Sequence, residues 1–537
     1  MSDAAAQGHA LSFREAISRR TQVRILGRTA DEWIRIFFGG SATVSIFILF
    51  LIMLLLVKEG IGFVPGNTFN LTIYRKAGLE YVDFLRDQID RHNATARDLQ
   101  AIRTRETTVL LARGSTLEEI NTKLAPFDAY AGRYADAIAA HQALLSDFSD
   151  AVTDTKDAAH VAQEKREKKE QFERAGMKAE AAEIRVQEID FRKTTDPLRA
   201  QFPHYKELNA TLTATLGGLL KEEPPLLLPE DKAAFAKFKA RAYEDLSAIP
   251  ATERKMEQWN PDRPVSWWTS ITEFLFGTRW ITASFWHDWY GVLPLAIGSI
   301  AVSIVALVIA VPLSLGAAVY INQIATSQEQ AFIKPCIEFV AAIPSVVLGF
   351  FGIAILGQTL RTLSTLSWLS WVPGFPMAER LNIFTAGCLL ALMAVPTIFS
   401  LAEDALNNVP KAFVEASVAL GATRLQTIIR IMVPAALSGI ISAVLLGFGR
   451  VVGETMVVLL CVGGRTEIPD FLHHGLGAFF EPGHTMTGII AQEMGEVVQG
   501  SLHYRALFMD GILLFLLSLV INWLAQLVVK RFRVVSA

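Results

Sequence analysis

Long runs of apolar positions alternate along the chain with one block dominated by charged residues. Uncharged, mostly apolar stretches occupy residues 36–57, 289–328, 339–360, 381–402, 431–449 and 511–529; a helix needs roughly 20 such residues to cross a bilayer core. Six membrane-spanning helices are expected. The second stretch reads as one tilted span with an interfacial end, and the fifth continues past Arg450 and Glu454 to about residue 462. Between the first two stretches the pattern changes. Leu79, Val82, Leu85, Ile89 and Leu99 recur at roughly helical spacing, and residues 157–193 form an Ala/Glu/Lys/Arg/Gln-rich run. This predicts a mainly helical, elongated domain, in part a coiled-coil-like hairpin turning at Gly176. Glu222-Glu223-Pro224-Pro225 and Trp259-Asn260-Pro261 read as linkers or ends. The expected fold class is all-α, a polytopic membrane protein with a helical domain outside the bilayer.

Charge sharpens the division. Of 103 Lys, Arg, Asp and Glu residues, 67 fall within residues 58–285 and only 26 within residues 286–537, so a water-exposed block separates lipid-exposed ones. Arg14, Arg19, Arg20, Arg24, Arg28 and Arg35 accumulate before or at the edge of the first stretch, and Lys530, Arg531 and Arg533 follow the last. The positive-inside tendency puts both termini in the cytoplasm and residues 58–288 outside it. The first apolar run starts too late and is too long for a cleavable signal, so it is expected to stay as an anchor. The parts are then a cytoplasmic segment 1–35, a first span 36–57, a helical insertion 58–273, and a membrane core 274–537 with five further spans and a cytoplasmic loop at 403–433.

Several chemistries are excluded. A net charge of −3 argues against a nucleic-acid binder. Cys336, Cys388 and Cys461 all lie in apolar runs, which leaves the charged block without a disulfide. No Gly-Lys dipeptide occurs, so there is no Walker A loop, and any ATP that powers this protein, with its magnesium, binds another chain. His473, His474 and His484 lack metal-ligand spacing and read as solvated loop residues, with no metal site expected.

The clearest local motif lies in the expected cytoplasmic loop, where Glu415-Ala416-Ser417 is followed at fixed intervals by Gly421, Ile431, Val433 and Pro434. Such a sequence suits a short helix of small residues that seats in a partner's groove, a glycine turn, and a second helix returning to the membrane. It resembles the EAA loop of ABC-importer permeases, with Ser417 in place of the second alanine and Val433 in place of leucine. The runs 274–280, 290–294, 310–313, 337–345 and 449–456 narrow the resemblance to phosphate permeases of the PstC type. That resemblance implies a MetI-like fold, a bacterial inner-membrane location, and no enzymatic activity in this chain. It also implies inorganic phosphate as cargo and three partners: a PstA-type second permease, a PstB-type ATPase dimer and a PstS-type phosphate-binding protein. The helical insertion departs from the family pattern, and its role does not carry over.

Within the membrane half, Arg450 and Glu454 are expensive to bury, at about 2.5–3.5 kcal/mol each at a helix centre. Four residues apart, they are expected to share a helix face. Two readings stand: a self-neutralising structural pair, or a forked cation for a crossing oxyanion with Glu454 and Thr455 beside it. Pro344-Ser345 and Pro396-Thr397 predict kinks in the third and fourth spans, with Ser345 a further path candidate. Glu338 reads as a helix-capping acid at the start of the third span, and residues 486–498 as a short outer helix available to a binding protein. The alternatives to phosphate import are a permease for another oxyanion, or a membrane sensor or scaffold whose outer domain does the work.

Overall fold

The computed structural model describes residues 24–532, apart from 26–27, 175, 283 and 370. Arg14, Arg19, Arg20 and Arg533, four of the nine basic residues behind the expected charge bias at the termini, lie outside the described residues. Five described helices are long and apolar enough to span a membrane: Ile34–Lys76, Leu293–Gln323, Ser345–Ser364, Ile383–Asn407 and Leu502–Leu524. A sixth comes from Arg424–Ala435 and Leu437–Val452, which meet at 68°.

The membrane core is organised around Ile383–Asn407. Small residues let its neighbours come close: a β-carbon on Gly387 would stand 2.4 Å from the Val305 side chain, and one on Gly447 2.5 Å from Ile398. Ala306, Ala310, Ala386, Ala394 and Ala402 are fully buried in the same core. This is how helices associate in lipid, where apolar burial between them gives little drive and close backbone approach supplies the contact. Pro396 leaves Ile383–Asn407 a single helix. Pro344 instead follows a break, and the third span starts at Ser345, six residues later than hydropathy suggested. The preceding segment is a separate helix, Ser327–Ala341, started by a Thr326–Glu329 capping box. Glu338 therefore sits in the body of that helix and is not its cap.

The insertion packs helices Leu79–Ala112, Leu117–Asp136, Ala139–Arg174, Phe202–Leu219 and Asp231–Glu257 around Tyr81, Phe127, Tyr130, Tyr134, Tyr205 and Phe238. The chain turns at Gly176, whose φ of +81° lies in the left-handed region that favours glycine. What returns is the short helix Lys178–Glu183 and then non-helical residues 184–190, so no two-armed coiled coil forms. Buried polar groups are tied across the bundle. Asn209 accepts from Gln88 at 2.8 Å, pairs with His141 at 3.0 Å and donates to Glu253 at 2.9 Å.

The insertion is seated on one end of the membrane core. Trp286 joins the insertion's core, donates to Asp83 at 2.7 Å and lies 3.9 Å under the Arg86 guanidinium. Arg279 pairs with Asp87, and Arg241 bridges Asp98 at 3.4 Å and Asp470 at 3.5 Å. A third cluster of Phe63, Phe274, Trp280, Tyr290, Leu295, Met486 and Leu507 joins the helix ends beneath this seam.

Candidate functional site

The loop carrying the Glu415 motif lies at the end of the bundle opposite the insertion, between Ile383–Asn407 and the bent fifth span. Pro410 fixes the entry to helix Lys411–Ala419, and Gly421 at φ +83° reverses the chain. Thr423 and Gln426 then form a capping box that starts the next helix. Ser417, the residue that replaces alanine in the motif, is buried and shares a 2.9 Å hydrogen bond with Thr427, clipping the two arms together. Around that clip the surface is open: Glu415 and Ala416 are exposed, as are Phe413, Val418 and Leu420. A rigid, exposed helix with a small-residue stripe and an apolar flank suits a partner's groove. Behind it, Lys334 pairs with Glu403, and a β-carbon on Gly439 would meet Ala405 at 2.4 Å, so the loop rests on packed helices.

In the membrane, Arg450 and Glu454 do not share a helix face. Helix Leu437–Val452 ends two residues after Arg450, Gly453 caps it, and the next helix begins at Met456. Glu454 and Thr455 thus occupy the break in what hydropathy reads as one span. Arg450 instead donates to the Thr397 hydroxyl at 2.9 Å, one residue beyond Pro396 in the fourth span. Among the described residues no ion pair joins Arg450 to a carboxylate, and no hydrogen bond links Arg450 or Glu454 to Ser345. The backbone carbonyl of Glu454 accepts from Thr487 at 2.9 Å, and Glu454 lies beside Ser299, Ser303, Thr485 and Thr487. Those hydroxyls were missed in the sequence. The Ser299/Ser303 pair at helical spacing on the second span was the available signal.

His484 is buried, contrary to the expectation of a solvated loop histidine. Its ring pairs with Gln492 at 3.0 Å, and its carbonyl lies where a β-carbon on Gly298 would stand 1.9 Å away. Helix Met486–Glu493 has a buried first turn, Met486 to Ile489, packed within the bundle, while Ala491 and Gln492 in its second half are exposed. Burial penalises the Glu493 carboxylate, but hydrogen bonds from His503, Thr282 and Trp280 outweigh that and hold it below the usual range. His474 pairs with Glu481, whose carboxylate raises the imidazole above its ordinary value. The described residues contain no group of three or more His, Cys, Asp or Glu arranged to hold a metal ion.

Residues 310–534 match the family of binding-protein-dependent transport system inner membrane components. A probable ABC transporter permease protein, YqgH, of Bacillus subtilis is 34% identical over 266 residues, covering 49% of this chain and 80% of that one. The phosphate transport system permease protein PstC of Haemophilus influenzae is 30% identical over 275 residues, covering 49% and 84%. The chain belongs to this permease family. As a binding-protein-dependent permease it is a multi-pass inner-membrane subunit of an ABC importer, served by a nucleotide-binding ATPase and a substrate-binding protein. Among solved structures, an inward-facing MetNI methionine ABC transporter aligns with 45% of this chain and 95% of its own, at 18% identity and a TM-score of 0.32. The permease match begins beyond the insertion, which the shared family region does not include.

Proposed function

We propose that this chain forms one half of the transmembrane path of an ATP-driven phosphate importer, beside a PstA-type permease and above a PstB-type ATPase dimer. A PstS-type protein delivers inorganic phosphate to the insertion side, which faces away from the cytoplasm, and both termini lie inside. The observation that carries the coupling role is the exposed helix Lys411–Ala419, braced by the Ser417–Thr427 bond on an otherwise open surface. Support for phosphate comes from relatives named as phosphate permeases and from Arg450, held in the bundle by a neutral hydroxyl and free to offer its remaining N–H groups to an oxyanion. A neutral partner suits transit, because a site on a path must release what it binds. ATP and magnesium belong to the partner ATPase. Its closure moves helix Lys411–Ala419 and, through the bent fifth span, rocks the segment carrying Arg450.

The test is ATP-driven phosphate uptake by the assembled complex in proteoliposomes, comparing wild type with Arg450→Gln and Glu415→Ala. Both variants are expected to lose most uptake, with ATPase association weakened only in Glu415→Ala. Wild-type uptake in both removes these two roles, and sulfate uptake in place of phosphate redirects the reading to another oxyanion.

A further inference from the structure

Helix Trp267–Phe276, the last helix before the second span, has two apolar faces. One is buried: Phe274 meets Phe63 with ring centroids 5.0 Å apart, and the Ser270 hydroxyl accepts from Asn67 at 3.0 Å and donates to the Val64 carbonyl at 3.3 Å. Among the described residues the other has no partner. Trp268, Thr272 and Phe276 follow one another at helical i, i+4 spacing on that side, with Trp267 at its end. Trp267, Trp268 and Phe276 are 61%, 59% and 68% exposed. The Thr272 hydroxyl in the stripe turns inward to the Trp268 and Thr269 carbonyls at 3.2 and 3.0 Å. This face therefore presents aromatic surface with little to hold a polar partner.

Its height follows from two contacts. The Phe274 carbonyl accepts from the Val292 amide at 2.8 Å, one residue before the second span's helix begins at Leu293. On the other side, Phe63 stands three residues beyond Gly60, the end of the first membrane helix, Ala30–Gly60. The helix is thus pinned between the ends of two spans, at the level where the bilayer changes from hydrocarbon to headgroup. Ile61, just past the end of the first membrane helix, is likewise exposed. Tryptophan concentrates at this depth because its ring is apolar and its N–H is wet.

We propose that helix Trp267–Phe276 is an interfacial anchor, with Trp268 and Phe276 seated in the acyl–headgroup boundary of phospholipid on the insertion side. The anchor fixes the chain where the insertion returns to the membrane. The experiment uses the assembled complex in phosphatidylcholine/phosphatidylglycerol nanodiscs, with Cys336→Ser removing the exposed native thiol. An environment-sensitive fluorophore is attached at Trp268→Cys, at Phe276→Cys or, as a solvated reference in the insertion, at Leu117→Cys. Severalfold stronger quenching at Trp268→Cys and Phe276→Cys than at Leu117→Cys by a shallow lipid-borne nitroxide, with the reverse order for aqueous iodide, is the expected result. Iodide quenching equal to that at Leu117→Cys overturns the proposal. So does protection from both quenchers that vanishes without the partner permease, which would make the occupant a protein. If a labelled variant fails to fold, native tryptophan emission in brominated lipid decides. Trp268→Phe is expected to reduce the quenched fraction, and an unchanged fraction overturns the anchor.

Discussion

The insertion and the membrane core are both helical, yet they obtain a unique packing by different means. In the insertion, aromatic rings fill the centre and a buried polar network runs through Gln88, His141, Asn209 and Glu253. In the membrane core, alanines and glycines let backbones touch, and Gly298, Gly387 and Gly447 sit where no larger residue fits. Water supplies the drive to bury rings in the first case, and the polar ties fix which rings meet. Lipid supplies no such drive, so fit at the backbone does the selecting.

The sharpest way to break this comparison is to make one change in both regions. Gly298→Ala places a methyl group against the His484 carbonyl and is expected to abolish recovery of monodisperse complex from membranes. Gly218→Ala, in helix Phe202–Leu219 with nothing within 4 Å of the new methyl, is expected to raise the thermal midpoint, for a gain of about 0.5–1 kcal/mol. Equal effects would erase the distinction. Next to the loss expected from Gly298→Ala comes Asn209→Ala, which strands Gln88, His141 and Glu253 and should cost about 3–5 kcal/mol in denaturant unfolding.

Next comes pH. Burial pushes the Asp83 carboxyl up to about 6, only partly countered by hydrogen bonding from Tyr74 and by Arg86. The folded state then binds this proton more tightly than the unfolded chain. Stability from this group is full below pH of about 4 and is lost as pH rises through about 6, a span worth about 2–3 kcal/mol. Asp83→Asn should flatten that slope in thermal melts between pH 4 and 7; an unchanged slope would place the titration elsewhere. The smallest effect belongs to Arg241→Gln at the seam, where partly exposed pairs to Asp98 and Asp470 should contribute at most about 1 kcal/mol.

Hydropathy and periodicity located the spans and the helical character of the insertion because both report which residues avoid water. They did not report where a helix changes direction. The 68° bend between Ala435 and Leu437 and the late start at Ser345 lie inside uncharged runs, and the break at Gly453 lies in an apolar stretch interrupted only by Arg450 and Glu454, so a composition window sees continuity. For that reason Arg450 and Glu454 looked like facial partners and are not. The turn at Gly421 was readable because a motif of fixed spacing surrounds it. The burial of His484 was not, since it depends on Gly298, 186 positions earlier in the chain. The seam built by Trp286, Arg279 and Arg241 likewise joins residues far apart in sequence that no local pattern connects.

The first span does not stop at the bilayer surface. Helix Ala30–Gly60 passes through a turn at residues 61–62 into helix Phe63–Lys76, so that 43 residues run from Ile34 to Lys76, and the upper part is built into the insertion through Ile73 and Tyr74. At 1.5 Å per residue this rod is about 65 Å long, and tilting it by about 5° about its lower end carries its upper end through about 6 Å. The span is therefore a lever arm. A small angular change within the lipid is read out as a displacement of several ångströms at the seat of the insertion, and a load on the insertion returns along the same arm as torque on the membrane core.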